Sequence, residues 1–130
     1  MDPRAHVPAI RVAMLPRDTN AYGTIFGGHI LSLIDQAGAV GAHRHGARRV
    51  VTVAMDKVEF KQPVQVGDIV SCYTELLRLG RTSVSVRVRV VAHRPEDLER
   101  SVEVTQADVT YVNIDETGRP IALRSGAVKV

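Results

Sequence analysis

The chain has 130 residues, 45% of them hydrophobic, and a formal net charge of +3, which suits one domain around one core. The pI is about 9.4, yet no dense basic stripe with interleaved aromatics appears, so composition argues against a nucleic-acid binder and is compatible with a small anionic ligand. No apolar run reaches transmembrane length, the N-terminal stretch lacks the apolar segment of a signal peptide, and the single cysteine, Cys72, excludes an intramolecular disulfide. These features predict a cytoplasmic protein.

The first strand is predicted over Ala9–Leu15, and Pro16 ends it. "PRDTNAYG" then reads as an irregular loop. A long helix follows, from about Gly28 to His45, stopped by Gly46, with His43, Arg44 and His45 where the helix dipole favours positive charge. It reads as apolar nearly all round, so it should be enclosed by a curved sheet and by neighbouring chains. From there the pattern is strand. "RRVVTVAMDKVEF" alternates at Val51, Val53 and Met55, then changes parity to Val58 and Phe60, which predicts a bulge. "PVQVGD" is a turn-rich connection. "IVSCYTELLRLG" and "RTSVSVRVRVVAH" follow. In the second, Val84, Val86, Val88 and Val90 share one face, with Ser83, Ser85, Arg87 and Arg89 on the other. "HRPEDLE" reads as a polar loop, and "SVEVTQADVTYVNI" as a last strand whose parity changes after Val104. "DETGRP" turns out of it into a tail expected to be poorly ordered. With no repeat, linker or composition break, the whole of 1–130 is one α+β domain. Its order is one strand, one helix, then four consecutive and therefore antiparallel strands.

Asp35 is the conspicuous residue. On the helical stripe Gly28, Leu31, Asp35, Gly38, Ala39, Ala42 it is the one charged group, and an unpaired buried carboxylate costs several kcal/mol. A solvated or ion-paired aspartate is the ordinary reading of a mid-helix Asp. The apolar neighbours favour instead a carboxylate in a mostly apolar pocket, its pKa raised by desolvation and its basicity increased. Gly27 and Gly28 open the same helix. Its first N–H groups are unpaired there, and glycine lets a ligand oxygen come close, giving a candidate oxyanion hole. Gly23 and Gly28 share the first spacing of a phosphate loop, but His29 stands where lysine is needed, and the nucleotide reading fails. His43 and His45 lack an evident third ligand, so no metal site is expected. Cys72 reads as a small buried hydrophobe, and Ser32 as a helical serine bonded to its own backbone.

The stretch "LPRDTNAYGTIFGGHILSLIDQAGAV", followed by "DKVEFKQPVQVGD", "LGRTSVSVRVRV" and "VTYVNIDETGRPIAL", resembles the hotdog-fold acyl-CoA thioesterases of the acyl-CoA hydrolase, YciA-like type. The likeness spans about nine-tenths of the chain. It implies a curved antiparallel sheet wrapped around one central helix, which agrees with the periodicity. It also implies cleavage of acyl-CoA to a free acid and CoA with no separate cofactor. In that family's terms Asp35 is the helix carboxylate, acting as general base or as nucleophile through an anhydride. Asn20 is the loop asparagine that orients water or carbonyl. Gly28, with Gly27 beside it, polarises the thioester carbonyl. For the CoA phosphates, Gly80, Arg81, Thr82 and Ser83 are the first candidates, with Lys57, Lys61 and Arg119 weaker. The resemblance further implies edge-to-edge homodimers, sites shared between two chains, and assembly as trimers of dimers. Two rivals are set against this reading. A hotdog hydratase or dehydratase needs an Asp/His dyad that this sequence does not offer near the helix. A non-catalytic acyl-CoA-binding or sensing module would not need Asp35 and Asn20 together.

Overall fold

The computed structural model describes residues 7–124. Strand β1 covers Ile10–Ala13, helix α1 Gly27–Arg44, and strands β2 to β5 cover Val50–Phe60, Ile69–Leu79, Ser83–Arg94 and Asp97–Asn113. A short 3-10 turn at Pro16–Asp18 interrupts the loop before α1. The five strands form one sheet in the order β1-β3-β4-β5-β2, antiparallel at every pairing, so β1 and β2 are its edges.

α1 packs on the face that β4 fills with Val84, Val86, Val88 and Val90, all buried. Each such valine contributes about 1.5–3 kcal/mol relative to leaving it in water. The helix answers with Ile30, Leu33, Ile34, Ala37 and Ala42. It is less uniformly apolar than the sequence suggests: Ser32, Gln36, Val40 and His43 form an exposed stripe, and Ser32 accepts a hydrogen bond from the Gln36 side chain rather than serving its own backbone. Its C-terminus closes as the sequence predicts. Gly46 takes φ +97°, and the Gly46 and Ala47 N–H groups donate back to His43 and Ala42 O, capping the last carbonyls.

Both expected parity changes are bulges. In β5 the register against β4 slips between Val90 and Val91, at Val104, so Val104 and Thr105 are both buried although adjacent. In β2 two slips occur, one between Thr52 and Ala54 and one between Asp56 and Glu59, where Lys57 takes the left-handed φ of 53°. Two readings need correction. "HRPEDLE" is no loop: β4 runs to Arg94 and β5 starts at Asp97, leaving a two-residue tip braced by His93 Nδ1 donating to Leu98 O. Beyond the helix the hairpin has no core face, so its sequence shows no alternation. The tail is also not loose as far as Arg124: Ile121, Leu123 and Arg124 donate backbone hydrogen bonds to Asn113, Arg81 and Gly46 O. The buried Asn113 side chain accepts from Arg48 and Arg49 N–H and donates to Ala122 O. The remainder of the expected tail lies outside the described residues.

Cys72 is wholly buried in β3, and burial pushes its thiol up to about 12. A thiol that is neither exposed nor ionised should resist alkylation in the folded protein. Iodoacetamide at about pH 8, near the ordinary thiol value, should label urea-unfolded chain quickly and folded chain very slowly. Labelling of the folded protein at the unfolded rate would mean that β3 opens readily.

Candidate active site

Asp35 lies midway along α1, over the row that Val84, Tyr111 and Thr52 form across β4, β5 and β2. Its carboxylate is half-buried and does not stand in purely apolar surroundings. Thr52 Oγ1 donates to Asp35 Oδ1 at 2.7 Å. The Tyr111 hydroxyl lies 2.7 Å from Asp35 O and 3.2 Å from the same Oδ1, within donating reach of both. Burial first, then the Asp35 charge and hydrogen bond, hold the Tyr111 phenol far above its usual range, so it remains a donor. Both donors converge on one oxygen and fix the carboxylate's orientation.

Gly38 makes that approach possible. A Cβ there would stand 2.1 Å from the Tyr111 hydroxyl and 2.9 Å from Cζ, so any larger residue would collide with the ring. Neither Tyr111 nor Thr52 was evident in the sequence, whereas Gly38, small like Ala39, Gly41 and Ala42, could be read there as allowing close approach by sheet or partner. The spacing of Gly38, one turn after Asp35, was the available signal.

The helix start forms a second cluster. Phe26 is the N-cap residue, no side chain caps the helix, and the Gly27 and Gly28 N–H groups donate no hydrogen bond among the described residues. Phe26 and Phe60 are exposed, and their rings flank the two glycines. A Cβ at Gly28 would meet Phe26 at 2.5 Å, and one at Gly27 would meet Phe60 at 3.5 Å. Asn20 shapes the loop that delivers this start. Its Oδ1 accepts from the Tyr22 and Thr24 N–H groups, and its Nδ2 donates to Thr24 Oγ1, leaving one amide hydrogen for other partners. Gly28 and Asp35 are seven residues apart in one continuous helix, which separates them by roughly 10 Å.

The other sequence candidates fall at two ends of the sheet. Gly80–Ser83 form the β3–β4 turn, closed by Gly80 N–H donating to Ser83 O, one residue beyond the row that faces Asp35. The Thr82 and Arg81 carbonyls accept from Asn113 and Leu123 N–H, so backbone bonds fix the turn while the Arg81 side chain is exposed. Arg119 lies near that end, in the turn after β5, where the Asp115 carboxylate accepts from Thr117 and from Arg119 N–H. Those bonds hold Asp115 below its ordinary range. Lys61 is at the opposite end, beside Phe60, and pairs with Glu103. From the row of Val84 to that of Val90, next to Phe60, is six residues, or roughly 20 Å. Within one chain, Lys61 and Arg81 do not share a phosphate.

The Gly38–Tyr111 contact can be tested. Gly38→Ala should lower stability by about 1–3 kcal/mol, the usual cost of overpacking, and displace the donor from Asp35. Tyr111→Phe alone should cost about 1 kcal/mol for the lost hydrogen bond. Because the hydroxyl is the first atom a Cβ meets, Gly38→Ala should cost less in the Tyr111→Phe background. Equal costs in both backgrounds, by urea denaturation, would show that the hydroxyl is not what a side chain at 38 displaces.

Residues 22–99 match the Thioesterase superfamily. The acyl-CoA thioester hydrolase YciA of Escherichia coli K12 is 40% identical over 116 residues, 88% of each chain. Two solved structures are similar throughout. Cj0915, a hexameric hotdog-fold thioesterase of Campylobacter jejuni, matches with a TM-score of 0.85, 45% identity and 90% of each chain covered. The Asp44Ala mutant of HI0827, a hexameric broad-specificity acyl-coenzyme A thioesterase, matches with a TM-score of 0.89 at 37% identity, covering 95% of this chain and 90% of that one. One helix against a five-stranded antiparallel sheet is thus the hotdog architecture, and the chain belongs to the hotdog-fold thioesterases of the Thioesterase superfamily, close to the YciA acyl-CoA thioester hydrolases.

Proposed function

We propose that the chain hydrolyses acyl-CoA thioesters to a free carboxylic acid and CoA, at sites that two copies of the chain complete together. The observation that carries this reading is that the unpaired helix-start N–H groups and Asp35 stand two turns apart on one rigid helix, an axial rise of roughly 10 Å. A base must come within hydrogen-bond reach of the attacking water, and the carbonyl oxygen must sit on its donors. One chain cannot bring its own two groups to one thioester. A second copy related by a two-fold axis can, with the helix start from one protomer and Asp35 from its partner. The edge strand β2 is long, and its Val51, Val53 and Phe60 are exposed at 41%, 55% and 55%, which suits an edge that pairs. Known hexameric relatives support further assembly of such dimers as a trimer.

In this arrangement Thr52 and Tyr111 hold Asp35 Oδ1, and Oδ2 takes a proton from water. The hydroxide attacks the thioester carbon, and the Gly27 and Gly28 N–H groups stabilise the charge on the carbonyl oxygen. The C–S bond breaks, and the thiolate leaves and regains the proton. In the alternative route Oδ2 attacks the carbon directly and expels the thiolate, and water then hydrolyses the resulting anhydride to the free acid, its proton passing to the thiolate. Asn20 positions the helix start and offers its remaining amide hydrogen to water or carbonyl. Arg81, exposed at the β3–β4 turn with Gly80, Thr82 and Ser83, binds a phosphate of CoA.

Asp35→Asn should keep the fold and lower kcat by about 10²–10⁴-fold, the usual contribution of a positioned base. Mixing Asp35→Asn with Asn20→Ala, after dissociation and reassociation, should restore roughly a quarter of wild-type thiol release, since half the dimers then hold one intact site of two. No recovery, with exchange confirmed by mass spectrometry, would place both residues in one chain's site. Arg81→Ala should raise KM for acyl-CoA more than it lowers kcat, and change little with a pantetheine thioester that lacks the nucleotide phosphates. Equal losses on the two substrates would assign Arg81 to folding instead.

A further inference from the structure

The parity change in β5 has a chemical consequence. By bulging at Val104, the strand turns Thr105 toward the helix, where it is 1% exposed. Its Oγ1 is buried and has no hydrogen-bond partner among the described residues. A buried hydroxyl without a partner is costly, and valine has nearly the same shape without that cost. Thr105 lines a cavity of about 290 Å³ beneath the start of α1, walled by Ile25, Gly27, Ile30, Phe60 and Val64. Most of that wall is apolar, and Gly27, whose N–H is unpaired, stands at its edge.

We propose that this cavity receives the acyl group and that Thr105 selects acyl groups carrying their own neutral oxygen, a hydroxyl or a ketone. The inference rests on the helix-start reading of the thioester site. A carbonyl held on the Gly27 and Gly28 N–H groups places the adjoining acyl carbons at the mouth of the cavity. The cavity is at the small end for a ligand site, so it takes one part of an acyl-CoA and favours a short chain. The pantetheine arm must stay connected to nucleotide outside, whereas the acyl end can terminate against a buried wall. Charge argues for a neutral oxygen. Lys61 at the cavity is already paired with Glu103, which leaves no uncompensated cation for a carboxylate. Oγ1 itself is covered, and a χ1 rotation that exchanges it with the methyl brings it to the cavity, where Thr105 can donate to a ketone or exchange hydrogen bonds with a hydroxyl. A site built to hydrogen-bond a substrate oxygen discriminates strongly against the analogue lacking it, because its own polar group then stays unpaired.

The test compares butyryl-CoA with 3-hydroxybutyryl-CoA, each enantiomer separately, and with acetoacetyl-CoA, by kcat/KM from thiol release. Wild type should prefer at least one oxygenated substrate over butyryl-CoA. Thr105→Val should shift that ratio toward butyryl-CoA by about tenfold or more. Thr105→Ser, which keeps the hydroxyl, should retain the wild-type order. A ratio unchanged within about twofold in Thr105→Val would overturn the proposal. Thermal unfolding gives a second arm independent of turnover. Without substrate, Thr105→Val should melt at the wild-type temperature or higher, because the hydroxyl it removes has no partner. A lower Tm would show that the hydroxyl is bonded within the protein and would equally overturn the proposal. Asp35→Asn, run alongside, separates the two readings: if it left thiol release intact, the site assignment itself would fail, whatever the Thr105 ratio.

Discussion

The helix meets the sheet at a chosen depth and rotation because one tyrosine reaches across to it. Tyr111 occupies the gap that Gly38 leaves and bonds to both the backbone and the side chain of Asp35. Hydrophobic packing alone is tolerant, since small apolar contacts can slide by a fraction of a turn at little cost. A buried hydroxyl cannot slide without losing its acceptor. The valine row of β4, the carboxylate's orientation and the position of the helix start at the far end of the sheet all follow from that one registration. Thr52, from the edge strand, adds the second donor and ties the β2 edge to the Asp35 carboxylate.

A thioesterase asks less of its protein than an amidase does, because a thiolate leaves without help from a strong acid. The proposed machinery can then be sparse: one oriented carboxylate, two backbone N–H groups and a way to hold CoA. What the fold supplies is separation. It keeps the carboxylate and the N–H groups at fixed places on one rod, so that neither can collapse onto the other and satisfy it internally. Among the described residues the helix start has no side-chain cap and Asp35 is bonded on one of its oxygens, which leaves the groups of the proposed site available in a stable chain.

Much of this was legible in the residues. Gly27, Gly28 and Asp35 stood out as candidates because a charge on an apolar stripe and paired glycines at a helix start both break local rules, where function is to be sought. The β4 alternation and the breaks of parity in β2 and β5 named the sheet's wet face and its bulges. Other features were invisible for identifiable reasons. Tyr111 sits in phase with the buried residues of β5, so nothing distinguishes it from core until its hydroxyl's acceptor is known, 76 positions away. Gly38 reads as packing. The Arg94–Asp97 hairpin shows no alternation because it projects past the helix, and the strap at 121–124 is held by backbone bonds that no side-chain pattern announces. Long-range partners of this kind are set by topology rather than by local sequence.

Asn113 gives the C-terminal strap an importance its composition conceals. One buried amide joins the segment after the helix, the end of β5 and the strap. Freeing any one of the three strips partners from the amide, which costs about 1–3 kcal/mol for a buried polar group. The three segments therefore behave as a single opening unit. A strap held by backbone bonds alone normally frays early in hydrogen exchange, but here the amides of Ile121 and Leu123, bonded to Asn113 and Arg81 O, should exchange together with those of Arg48 and Arg49, so protection of the strap is set far earlier in the sequence.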